Sequence, residues 1–95
     1  MGKAYVIFTE TIHDEEGIAK YNELAIPTIG ASGARVLAFD DNADVLEGEW
    51  PGRTVILEFD TPELAREWYD SPAYQEAAAV RQAATTSHGV IINGF

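Results

Sequence analysis

The chain has 95 residues, enough for one domain with one core, and no Ser/Gly/Pro-rich linker divides it, so residues 1–95 read as a single domain. Its 46% hydrophobic and 23% charged composition is that of a folded protein, and a net charge of -10 repels nucleic-acid phosphates and anionic lipid headgroups, so neither nucleic acid nor membrane is an expected partner. With no Cys, disulfides, thiolate nucleophiles and zinc–thiolate sites are excluded.

Met1-Gly2-Lys3 leads into a short strand-like run at 4–8, too short for the apolar core of a signal peptide. No stretch approaches membrane-spanning length, so a cytoplasmic protein is expected. A first helix over 14–29 opens on acidic residues and sets Ile18, Tyr21, Ala25 and Ile29 on one stripe, with Pro27 expected to distort or end it. A second strand at 34–39 and a third at 54–59 follow, joined by an acidic loop. Thr61 then caps a helix with Pro62 at its first position, and Ser71-Pro72 repeats that logic to launch another helix to about Ala84. A last strand is expected at 89–93.

The order is β-α-β-β-α-β, the ferredoxin-like pattern of an α+β fold, with an antiparallel four-stranded sheet carrying its helices on one face. Both faces of the strands are apolar: Tyr5 and Ile7 oppose Ala4, Val6 and Phe8, Val36 opposes Leu37 and Phe39, and Val55 and Leu57 oppose Ile56. Helices cover one face only. Leaving the other in water exposes more than the ~300–600 Å² usual for a monomer, a gross cost of roughly 8–15 kcal/mol at ~25 cal/mol/Å². A homodimer through the sheet faces is therefore expected.

Several pieces carry a resemblance: Lys3-Ala4-Tyr5, Tyr21 with Pro27, Gly33-Ala34-Arg35, Val45-Leu46-Glu47-Gly48 with Trp50, the segment from Arg53 through Glu58-Phe59, and above all Trp68-Tyr69-x-Ser71-Pro72-x-Tyr74 with Arg81. On these the chain resembles, over nearly its whole length, the uncharacterised family catalogued as domain of unknown function 1330. The resemblance implies a dimeric α+β barrel, in a superfamily that also holds heme-degrading and antibiotic-biosynthesis-type monooxygenases. It implies none of their activities, because fold is not function.

Asp40-Asp41-Asn42-Ala43-Asp44 begins like a calcium loop, but Val45 stands where Gly should turn the chain and Pro51 where a bidentate Glu should close the site. His13 and His88 lie outside any metal-ligand spacing, so no metal is expected. Glycine-rich nucleotide signatures are missing, Ser32 sits in no nucleophile elbow, and no heme ligand can be argued, so no cofactor is expected. Ser71 reads as a helix cap and Trp68 as core. His13, in the strand-to-helix loop, is the better placed histidine for general-base work.

The richest set is Glu47, Trp50, Arg53, Glu58, Tyr69, Tyr74 and Arg81. Arg81 shares a helical stripe with Tyr74, Ala77 and Ala78, facing the sheet, where an unpaired guanidinium is costly, so Glu58 or Glu47 is the expected partner. That arrangement is either a structural ion pair or part of a pocket between sheet and helices for a small anionic or aromatic metabolite. In the second case Arg81 and Arg53 hold the anionic group, Tyr69 and Tyr74 pack its ring, Trp50 and Glu58 line the site, and His13 or Glu47 moves a proton. The alternatives are a cofactor-independent isomerase or monooxygenase-like enzyme, and a non-catalytic dimerisation module.

Overall fold

The structure, a computed structural model, describes residues 2–95. Its elements run β1 (Ala4–Ile12), α1 (Glu15–Ser32), β2 (Arg35–Asp40), β3 (Arg53–Phe59), α2 (Pro62–Asp70), α3 (Pro72–Ala84) and β4 (Thr85–Asn93). The strands form one antiparallel sheet in the order β2-β3-β1-β4. This is the expected ferredoxin-like α+β fold, with its second helical region broken in two at Ser71.

Both breaks and starts follow local chemistry. The Thr61 hydroxyl accepts the Leu64 N–H at 3.1 Å and the Ser71 hydroxyl accepts the Tyr74 N–H at 3.2 Å, each just before a proline at the start of a helix. Asp14 caps α1 through Gly17 N–H at 3.1 Å. Pro27 does not end α1, which runs three residues past the expected end at Ile29, to Ser32, before Gly33 closes it in the left-handed conformation. Pro27 and Glu23, whose carbonyl loses its helical donor, are both exposed, so water can replace the missing bond.

Strands β1 and β4 are also longer than their apolar runs. Thr9 to Ile12 pair with Thr85 to His88, because ladder hydrogen bonds come from the backbone and accept polar side chains. His88 therefore lies inside β4 rather than at its start. In β2 the register shifts between Val36 and Ala38, so Val36 and Phe39 share one face instead of opposing each other.

Alternation sorts the sheet. Ala4, Val6, Phe8 and Glu10 of β1, with Leu57 and Phe59 of β3, are buried under the helices. Trp68 is the hub of that core: its ring centroid lies 4.0 Å from Tyr74, 5.5 Å from Phe59 and 6.5 Å from Phe8, and its indole N–H donates to Thr28 Oγ1 at 3.0 Å. The opposite face carries Tyr5, Ile7, Ile56, Val90 and Ile92. The molecule is only 15 Å thick, room for one helix layer on one sheet, so that face has no cover within the chain. Its rim is charged: Arg35 donates to Glu58 at 2.6 Å and Asp60 at 2.8 Å, and Lys3 also reaches Asp60. Among the described residues no helix is long and apolar enough to cross a membrane.

Candidate functional site

The polar groups that meet beneath the helices come from three elements. On α3, Tyr74, Ala77, Ala78, Arg81 and Ala84 are buried, as helical spacing requires, and this brings Arg81 down onto β1 and β4. Its guanidinium stands 4.8 Å over the Phe8 ring, and Nη1 donates to Ser87 Oγ at 2.5 Å. Its Nε is buried with no hydrogen-bond partner among the described residues. On α1, Tyr21 reaches the same place, its hydroxyl 2.8 Å from that of Tyr74. Burial pushes the titration of both phenols upward, so both keep their protons.

Glu10 completes the group. It continues the buried row of Ala4, Val6 and Phe8 and is only 3% exposed, yet among the described residues it closes no ion pair. Desolvation raises its pKa, opposed by the charges of Arg81 and Arg53 and helped by Asp41. A carboxyl whose pKa is higher in the folded chain contributes full stability below the ordinary glutamate value of about 4.3 and loses it as pH rises through the raised value. Glu10→Gln is therefore expected to raise Tm by a few degrees at about pH 8 and to lose that advantage toward about pH 5. Thermal denaturation at the two values checks this, and an advantage that stays constant on acidification contradicts it.

Two cavities flank Phe8. One, of about 310 Å³, lies between the α2–α3 pair and β4, lined by Arg66 and Tyr69 of α2, Arg81 and Gln82 of α3, and Ser87 and Ile91 of β4. The Cδ1–Cε1 edge of the Phe8 ring packs against Gly89, where a Cβ would fall 2.6 Å from Phe8 Cε1, so only glycine lets the ring occupy this dividing position. The other, of about 390 Å³, lies between α1 and the β2–β3 side of the sheet, where Glu10 and Tyr21 are set among apolar side chains.

The sheet divides the residues singled out by sequence. Arg53, Tyr69, Tyr74 and Arg81 lie on the helix side. Glu58 lies on the open face, held by Arg35 and by Tyr5 Oη at 3.1 Å, and Arg35 keeps its carboxyl below the ordinary range. Glu47 and Trp50 sit in the β2–β3 loop beside the open-face residues Ala38, Asp40 and Thr54, with Trp50 donating to Thr54 Oγ1 at 2.7 Å. Neither Glu58 nor Glu47 can thus partner Arg81. The reason is the period of two, which puts Glu58 on the face opposite Leu57 and Phe59. The carboxyl on Arg81's side is Glu10.

Within the helix-side group, Arg53 is committed to Asp41 at 2.5 Å and to the Phe39 ring at 4.5 Å. Tyr74 is fully buried and stacks on Trp68, so it supports the site from behind, whereas Tyr69 is half-buried on the cavity wall. His13 lines neither helix-side cavity: its Nε2 lies 2.7 Å from Thr86 Oγ1. Sequence reasoning missed Glu10. Counting by two along β1 from Ala4 would have found it, a carboxyl in register with a buried row.

Fold and site together define a two-layer ferredoxin-like domain with an uncovered sheet and paired cavities under its helices. A family model described as a domain of unknown function (DUF1330) matches residues 3–95, and the chain belongs to that family. No curated protein matches it. Among solved structures it is similar to RPA0582, a protein of unknown function from Rhodopseudomonas palustris, at 20% identity and a TM-score of 0.81, covering 99% of this chain and 83% of that one. It is also similar to a dimeric ferredoxin-like protein of unknown function from Jannaschia sp. CCS1, at 14% identity and a TM-score of 0.70, covering 98% and 100%. A variant of SnoaB, a cofactor-independent oxygenase from Streptomyces nogalater, is similar at 15% identity and a TM-score of 0.63, covering 99% and 94%. At these identities the likeness concerns the fold.

Proposed function

We propose that the chain works as a homodimer, joined through its open sheet faces, and that each protomer binds a small carboxylate-bearing, partly aromatic metabolite in the cavity beside Arg81. The observation that carries the ligand reading is Arg81 itself: a buried guanidinium on a cavity wall, with Nε unsatisfied and no carboxylate paired to it among the described residues. Glu10 is the carboxyl whose charge acts on Arg81 from this side, but the two close no ion pair among the described residues; a buried cation held so loosely is costly, and an anionic ligand supplies a direct partner. Arg66 and Tyr69 on α2 give the same cavity a second cation and a ring for stacking, and its size suits a compact ligand, near the lower end of the ~300–1,000 Å³ range of ligand sites. The dimer reading is supported by the apolar open face and by the description of the Jannaschia protein as dimeric.

Isothermal titration with benzoate, phenylacetate and salicylate tests the ligand reading. The expected result is saturable binding to the intact chain, weakened about tenfold or more in Arg81→Met, since a hydrogen bond to a charged group contributes ~1.5–3 kcal/mol. Arg66→Ala is a second test at a largely exposed residue, where truncation is expected to leave the fold intact and also to weaken binding. No binding by any of the three, or equal affinity in both variants, leaves Arg81 a structural cation.

A further inference from the structure

The second cavity holds a different chemistry. Its walls are largely apolar, among them Phe8, Ala25, Ile29, Val55 and Leu57, and the polar residues that line it are Glu10, Tyr21 and Asn22. Ile26, Val36 and Phe39 are exposed where they border it, so the cavity opens to solvent at the β2 edge of the sheet. The usual structural roles do not account for Glu10. It caps no helix, closes no ion pair among the described residues, and lies on the helix side of the sheet, away from the charged rim. A carboxyl placed in such surroundings is poorly solvated and so a stronger base than one in water. The Tyr21 hydroxyl is fixed by its 2.8 Å bond to the Tyr74 hydroxyl, and the Arg81 guanidinium lies 5.9 Å from the Tyr21 ring.

We infer that Glu10 and Tyr21 form a proton-transfer site for an apolar, enolisable ketone, in a cavity separate from the anion cavity on the other side of Phe8. The Glu10 carboxylate removes a proton from the carbon next to the carbonyl. The C–H electron pair becomes the enolate C=C bond, and the carbonyl oxygen gains the negative charge and accepts a hydrogen bond from Tyr21. The protonated Glu10 then returns the proton, either to the same carbon or, in a β,γ-unsaturated ketone, to the γ-carbon, which yields the conjugated isomer. Atoms and electrons balance without a metal, an oxidant or a second substrate. The apolar walls select an uncharged substrate, and this separates the site from the cationic cavity beside Arg81.

Two probes test this with the full chain. Exchange of the α-protons of β-tetralone in deuterium oxide is followed by proton NMR, and conversion of β,γ-cyclohexenone to its conjugated isomer by ultraviolet absorbance. Acceleration of at least one reaction over buffer is expected, falling about 10²–10⁴-fold in Glu10→Gln, the range that general-base catalysis supplies. Glu10→Gln keeps the volume of the side chain and removes a buried charge, so circular dichroism is expected to report an intact fold. Tyr21→Phe is expected to slow the reaction about tenfold or more while leaving β-tetralone binding, read by titration, near the wild-type affinity. No acceleration by the wild-type chain with either probe, or undiminished rates in Glu10→Gln, overturns the inference.

Discussion

Trp68→Ala is expected to cost about 3–5 kcal/mol, a large share of the ~5–15 kcal/mol that holds a domain of this size together. Trp68 is 4% exposed and touches the rings of Phe8, Phe59, Tyr69 and Tyr74, which belong to β1, β3, α2 and α3. Truncation removes the contact these elements share and leaves Thr28 Oγ1 without the indole donor. Strands and helices cannot collapse into the gap without giving up other contacts, so the cavity term adds to the lost burial. Urea denaturation followed by circular dichroism gives the number, and a cost below about 1.5 kcal/mol would move the centre of the core elsewhere.

Ile56→Asp is expected to convert the proposed homodimer to monomers while leaving each protomer folded. Ile56 lies directly across from Ile7 on the open face, with Val90 opposite Ile7 on its other side, so the carboxylate lands in the middle of the apolar patch. In a monomer it meets water and costs little. In a two-fold dimer each interface carries the change twice. At about 2 kcal/mol for a central interface residue, the pair amounts to ~4 kcal/mol and roughly a thousandfold weaker association. Analytical ultracentrifugation of both chains at micromolar concentration measures it. A wild-type chain that sediments as a monomer would refute the sheet-to-sheet dimer outright.

How far the sequence could be read depended on whether a feature is local. The caps at Thr61 and Ser71, the prolines after them and the buried stripe ending at Arg81 are decided by neighbouring residues, and they stand where their spacing put them. Strand ends were less legible, since Thr85 to His88 carry no apolar signal and are held by backbone pairing with a distant segment. The shift at Leu37, which sets Val36 and Phe39 on one face, left no mark in the local pattern either. The partner of Arg81 was the hardest part. Glu58 looked suitable as a charge in an apolar strand, but its direction follows from the phase of β3 against the helices, which only the assembled sheet fixes. Glu10 was hidden for the complementary reason, lying past the obvious apolar run yet still in phase with it.

That phase has a genetic consequence. Along β3, Ile56 and Glu58 belong to the open face while Leu57 and Phe59 belong to the core, so adjacent codons answer to separate selective pressures. Point substitutions can then change the open face and the core independently, each without disturbing the other. A one-codon deletion within the strand cannot. It would turn Ile56 and Glu58 inward and Leu57 and Phe59 outward at a stroke, so this stretch of the gene tolerates replacement far better than any change in its length.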